Sequence, residues 1–88
     1  MSVFVGIQEV KDYDHWRESF DEDNAKREEA GITVVSVTRG HTNPNEVCVI
    51  MEASDAAIAH GFSTSPELGE KMEAAGVLPG GRLFVGAN

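Results

Sequence analysis

The sequence predicts an α+β domain whose elements run β-α-β-β-α-β. Three observations carry that expectation. Short β-branched runs at residues 3–10, 32–40, 46–53 and 82–87 have the content and length of strands. Two intervening stretches change to apolar residues spaced three to four apart, as helices require. The turn "HTNPN" joins the second and third strands by a connection short enough for a hairpin.

In the first strand Val3, Val5 and Ile7 alternate with Phe4, Gly6 and Gln8. The stretch "DYDHWRESF" then changes the period, with Tyr13, Trp16, Phe20 and Ala25 forming one helical stripe. Asp12 is a natural N-cap, Asp14 suits the first turn by its charge, and Lys26 and Arg27 sit toward the far end. Gly31 supplies the stop. After the hairpin, Ser54 is positioned to cap "DAAIAHGF", a short helix carrying Ile58 and Phe62. Gly61 marks the expected break before "STSPELGEKMEAAGV". There Ser65 caps, Pro66 takes the first helical position, and Leu68, Met72 and Ala75 form the stripe. The segment "PGG" reads as a flexible connection into the last strand. This order is the split-βαβ, ferredoxin-like arrangement with a four-stranded antiparallel sheet.

At 88 residues the chain is one domain, 1–88. A chain of this size buries only about 60 per cent of its unfolded surface, so its core is thin. The single cysteine, Cys48, excludes an internal disulfide and a Cys-rich metal site, which makes oligomerisation the expected source of added stability. A net charge of −8 repels phosphate backbones and anionic lipid, so neither nucleic acid nor membrane is an expected partner. The start "MSVFVGIQEV" has neither the basic region of a signal peptide nor a long apolar run, and a cytoplasmic location is the expectation.

Both helical regions of this topology pack on one face of the sheet and leave the other bare. One alternation offers Val3, Val5 and Ile7 with Val47, Val49 and Met51. The opposite one offers Phe4, Val35, Val37, Cys48, Ile50 and either Leu83 or Phe84. Whichever faces the helices, the other remains apolar, whereas a wet face should be polar. A second copy placed sheet against sheet across a two-fold axis satisfies both faces, giving a homodimer that approximates an α+β barrel.

The segments "DYDHWRESFD…R…AGI", "NPNEVCVIMEASD…A…F" and "SPEL…M…AGV" resemble small stand-alone proteins of the dimeric α+β barrel superfamily, which includes antibiotic-biosynthesis-monooxygenase-like and cyclase-like proteins. The likeness spans nearly the whole chain at scaffold positions: Trp16, Phe20, Gly31, Pro44, Leu68, Met72 and Gly76. It implies the fold, and activities that range over cofactor-free oxygenation, ring closure, isomerisation, haem degradation and ligand binding. It implies no residue-by-residue catalytic assignment.

Five residues are candidates for chemistry. Trp16 either fills the core or walls a pocket between helix and sheet. Arg39 and His41, two apart at the end of the second strand, could hold an anionic or enolic oxygen, with His41 as acid or base; the plainer reading is a polar strand end entering a turn. His60 could reach the pocket as a second catalytic histidine, or cap the turn before Gly61. Glu52 could serve as a ligand contact or buried base; the plainer readings are that it reaches water at the strand end or, preferred, pairs with Arg39 across the hairpin. His15 lies among acids without a second histidine at metal-binding spacing, so neither a metal nor a cofactor is expected. Cys48 reads as a buried, inert thiol. The eight acids from Asp12 to Glu29 read as a solvated face, with docking of a basic partner the other reading. Three functions follow: a cofactor-independent monooxygenase- or cyclase-like enzyme acting on a small aromatic or polyketide-like molecule, a non-catalytic dimer binding a small apolar or aromatic ligand, or an interaction module with a filled core.

Overall fold

The computed structural model describes residues 1–87. Its elements are β1 (Ser2–Glu9), α1 (Tyr13–Glu22), α2 (Asn24–Glu29), β2 (Ile32–Arg39), β3 (Glu46–Ala53), α3 (Ala56–Ser63), α4 (Pro66–Ala74) and β4 (Arg82–Val85). The strands form one four-stranded sheet in the order β2-β3-β1-β4, antiparallel throughout. This is the α+β, ferredoxin-like architecture that the β-α-β-β-α-β reading implies, with each helical region divided in two.

The divisions have local causes. Asp12 caps α1 as expected, accepting from the Asp14 amide at 2.9 Å and the His15 amide at 3.4 Å. The single helix expected through Arg27 instead breaks at Asp23, whose amide turns back to the Phe20 carbonyl. Aspartate is a poor helix-interior residue because its side chain competes for polar partners. Here the carboxylate is drawn to the Lys71 ammonium of α4. Ala25, five positions after Phe20, is exposed, and Arg27, seven positions after it, takes the buried position expected of Ala25. Gly31 ends α2 with φ +80°.

In the second region Asp55, not Ser54, caps α3 through its carboxylate and the Ile58 amide. Gly61 lies inside α3, and the interruption comes at Thr64 and Ser65. Pro66 explains this, because proline drives the residue before it out of helical geometry, and Ser65 is extended (φ −61°, ψ 130°). Ser65 precedes α4 without a side-chain cap bond. The segment after α4 is tied to the end of β1: Leu78 donates to the Glu9 carbonyl at 2.8 Å and Val77 bridges Val10.

Register decides the faces. Val5 pairs with Ile50 and with Phe84, so Val3, Val5, Ile7, Cys48, Ile50 and Phe84 share the face away from the helices. Val47, Val49 and Met51 lie on the other face with Phe4, which corrects their expected grouping with Val3, Val5 and Ile7. Leu83, opposite Gly6, points to the helix side and Phe84 to the bare side. A bulge between Val34 and Ser36 keeps Val37 on the helix face, packed with Val49. The bare face is apolar as the patterning requires: Val3 is 45% and Phe84 66% exposed. Cys48 is half-buried there rather than in the core.

Candidate functional site

Between the helices and the sheet lies a cleft of about 310 Å³. Its floor is Gly6, Val49, Met51 and Leu83; Gly6 opposes both Val49 and Leu83, and having no side chain it leaves open the space a larger residue would occupy. A Cβ built at Gly6 would meet nothing within 4 Å. Trp16 and Phe20 of α1 form one wall, and Phe62, Leu68 and Met72 form the other. The exposed residues Pro79 to Arg82 border the opening.

The α1 wall is an ordered aromatic column. Trp16 stacks on Phe20 with centroids 5.0 Å apart and planes at 28°, and Tyr13 tilts against Trp16 at 5.8 Å. Guanidinium groups close both ends, Arg39 with Cζ 3.9 Å from the Tyr13 centroid and Arg27 with Cζ 3.8 Å from that of Phe20. Positive charge over an aromatic face is favourable, more so when shielded from water. Trp16, 3% exposed, therefore belongs to the core and to the cleft wall together.

The polar lining is concentrated near Asp23. Its carboxylate accepts from Lys71 Nζ at 2.5 Å, tying the α1–α2 break to α4. That hydrogen bond holds the Lys71 ammonium above the usual lysine range. Arg27 is 5% exposed and donates through one terminal nitrogen to the Phe20 carbonyl at 2.6 Å. Its Nε is fully buried without a hydrogen-bond partner. Burial lowers the Arg27 pKa, opposed by the nearby charges of Asp23 and Asp21. Ser19 also lines the cleft.

Of the five sequence-derived candidates, the cleft takes in Trp16 alone. Arg39 lies on the helix face but outside the cleft, over Tyr13, with Nε donating to the Pro44 carbonyl at 2.8 Å. His41 is exposed in the β2–β3 turn, and His60 is exposed in the last turn of α3. Glu52 is half-buried on the bare face, opposite Val3 and Thr33. Arg39 faces Val47 at the other end of the hairpin, so the expected Glu52–Arg39 pair does not form. Among the described residues no three His, Cys, Asp or Glu side chains converge as a metal site. No helix described is long and apolar enough to cross a membrane. The residues that sequence reasoning left aside are Asp23, Arg27 and Lys71. Their signal was an arginine on the buried stripe seven positions after Phe20, where an apolar residue is ordinary.

No protein-family model and no curated protein matches the sequence. Solved structures do. A protein described as a candidate antibiotic biosynthesis monooxygenase from Bordetella bronchiseptica superposes with a TM-score of 0.77 at 10% identity, over 99% of this chain and 95% of that one. A similarly described protein from Caulobacter crescentus gives 0.72 at 16% identity, over 99% and 88%. An uncharacterised NIPSNAP domain protein from Burkholderia xenovorans gives 0.64 at 9% identity, over 100% and 94%. At such identities the likeness speaks for architecture. The chain has, over its full length, the ferredoxin-like α+β fold of the antibiotic-biosynthesis-monooxygenase-like structures.

Proposed function

We propose that this chain works as a homodimer in which each subunit binds one small apolar or aromatic molecule in the cleft between α1, α4 and the sheet. The observation that carries this reading is the cleft itself, walled by Trp16, Phe20, Phe62 and Met72. Ligand sites begin at about 300 Å³, so this one suits a molecule of one or two rings. The dimer is supported by the apolar bare face, where Val3, Val5, Ile7, Ile50 and Phe84 lie together. Native mass spectrometry and fluorescence titration test both parts. A dimer mass, with Trp16 emission quenched saturably by 2-naphthamide, is the expected result. A monomer, or an emission indifferent to such compounds, removes the corresponding half.

The fold relatives favour a second reading, cofactor-independent oxygenation in the same cleft. An activated methylene would be converted by O₂ to a carbonyl with release of water, the substrate supplying the electrons. Asp23 is the one carboxylate among the described lining residues and would be the base within reach. In this reading His41 and His60 act only if they move from their exposed positions. Oxygen uptake with 2-indanone, without added cofactor, tests it: uptake lost in Asp23→Asn is expected, and binding without uptake leaves the ligand-binding role.

A further inference from the structure

We infer that the ligand of this cleft carries an ionised oxygen (a carboxylate, phenolate or enolate) and that Arg27 is its anchor. This rests on the cleft being a ligand site and names the chemical class it takes. A guanidinium has five N–H donors, and a buried donor left unpaired is costly. Arg27 is 5% exposed, yet one terminal nitrogen reaches the Phe20 carbonyl and Nε has no partner. The packing that stacks Arg27 on Phe20 places it in the cleft lining, so an acceptor bound there would meet a guanidinium short of partners.

Charge points the same way. The chain as a whole carries −8 and repels anions, but cations gather at this end of the cleft. Lys71 lines it beside Arg27, and Lys26 lies close enough to Lys71 that its own pKa is lowered. The carboxylates acting on Arg27 are Asp23, held by Lys71, and Asp21, held by Arg17; Glu22 acts on Lys71 and Glu67 on Lys26. None of them bonds to Arg27 Nε. A salt link of an acceptor oxygen with a desolvated guanidinium is among the stronger polar contacts.

The test compares 2-naphthoate with its neutral counterpart 2-naphthamide on the full chain by calorimetric titration. Naphthoate should bind tighter by about ten- to a hundredfold, the value of one hydrogen bond to a charged group. Arg27→Met should bring the two affinities together, and Arg27→Lys should retain part of the preference. Should the variants not fold, the wild-type preference and the Arg27 Nε–H resonance decide. That resonance should shift with naphthoate and stay with naphthamide. Equal affinities in the wild type, with an unmoved resonance, overturn the anchor and leave the cleft as an apolar site. Binding of neither compound overturns the cleft reading, and the anchor falls with it.

Discussion

Arg27 closes over the ring of Phe20 and hydrogen-bonds the carbonyl of the same residue, so one side chain holds both the ring and the backbone of its neighbour seven positions back. This double contact spans the break at Asp23 and braces one end of the aromatic column. A double-mutant cycle with Phe20→Leu and Arg27→Met should give a coupling of about 0.5–2 kcal/mol by urea unfolding at one protein concentration. Arg27→Met alone should cost little, since relief of a desolvated charge offsets the lost contacts. Additive single effects would show that Phe20 and Arg27 are merely adjacent.

The tie between Asp23 and Lys71 has a defined pH signature. Its hydrogen bond raises the Lys71 pKa in the folded state, so the stabilisation is whole below the ordinary lysine value. It is lost as pH rises through the folded value. Lys71→Met should therefore be less stable than wild type by a constant margin from neutral pH to about pH 10, with the two curves converging above it. Lys26 works in the opposite sense, because its neighbour Lys71 lowers its pKa. Measuring in a Lys26→Gln background isolates the pair. A margin that does not shrink in alkali would assign the effect to the packing of the lysine stem.

The fold was legible because period and punctuation agreed: Asp12 as a cap, Gly31 as a stop and Pro66 at the start of a helix all perform the roles their chemistry suggests. Face assignment was harder, since both alternations in β1 and β3 are apolar and only the register Val5↔Ile50 separates them. The site was the least legible. His41, His60, Arg39 and Glu52 stand out by residue type, yet tertiary packing places them on a turn, a helix end, the far end of the column and the bare face. Arg27 reads as an ordinary cation near a helix end. Its spacing from Phe20 marks it for the buried stripe, but the tie of Asp23 to Lys71 beside it joins residues 48 positions apart. Local patterns carry no such information.

The bare face makes a prediction about assembly. Phe84, 66% exposed and paired with Val5, stands among apolar neighbours on that face. Phe84→Glu would bury an uncompensated carboxylate in a sheet-to-sheet interface, at about 3 kcal/mol or more, which weakens association at least about a hundredfold. Sedimentation should show wild-type dimer and variant monomer at micromolar concentration, with the variant's circular dichroism still that of an α+β domain. An unchanged dissociation constant would place any interface elsewhere.

Gly6 offers the sharpest separation of stability from binding. It lies mid-strand on the cleft floor, and a Cβ there meets nothing within 4 Å. Glycine loses more backbone entropy on folding than a residue with a side chain, and valine suits a strand. Gly6→Val should therefore hold or raise stability, by up to about 1 kcal/mol, while its side chain occupies space between Val49 and Leu83. Its effect on 2-naphthamide affinity should be a loss of tenfold or more, about 1.4 kcal/mol. Arg27→Met, by contrast, should weaken 2-naphthoate more than 2-naphthamide. If Gly6→Val is stable and still binds naphthamide like wild type, the molecule sits outside the cleft floor. If it is destabilised by more than about 1 kcal/mol, the space beside Gly6 closes in solution and the cleft is smaller than its walls suggest.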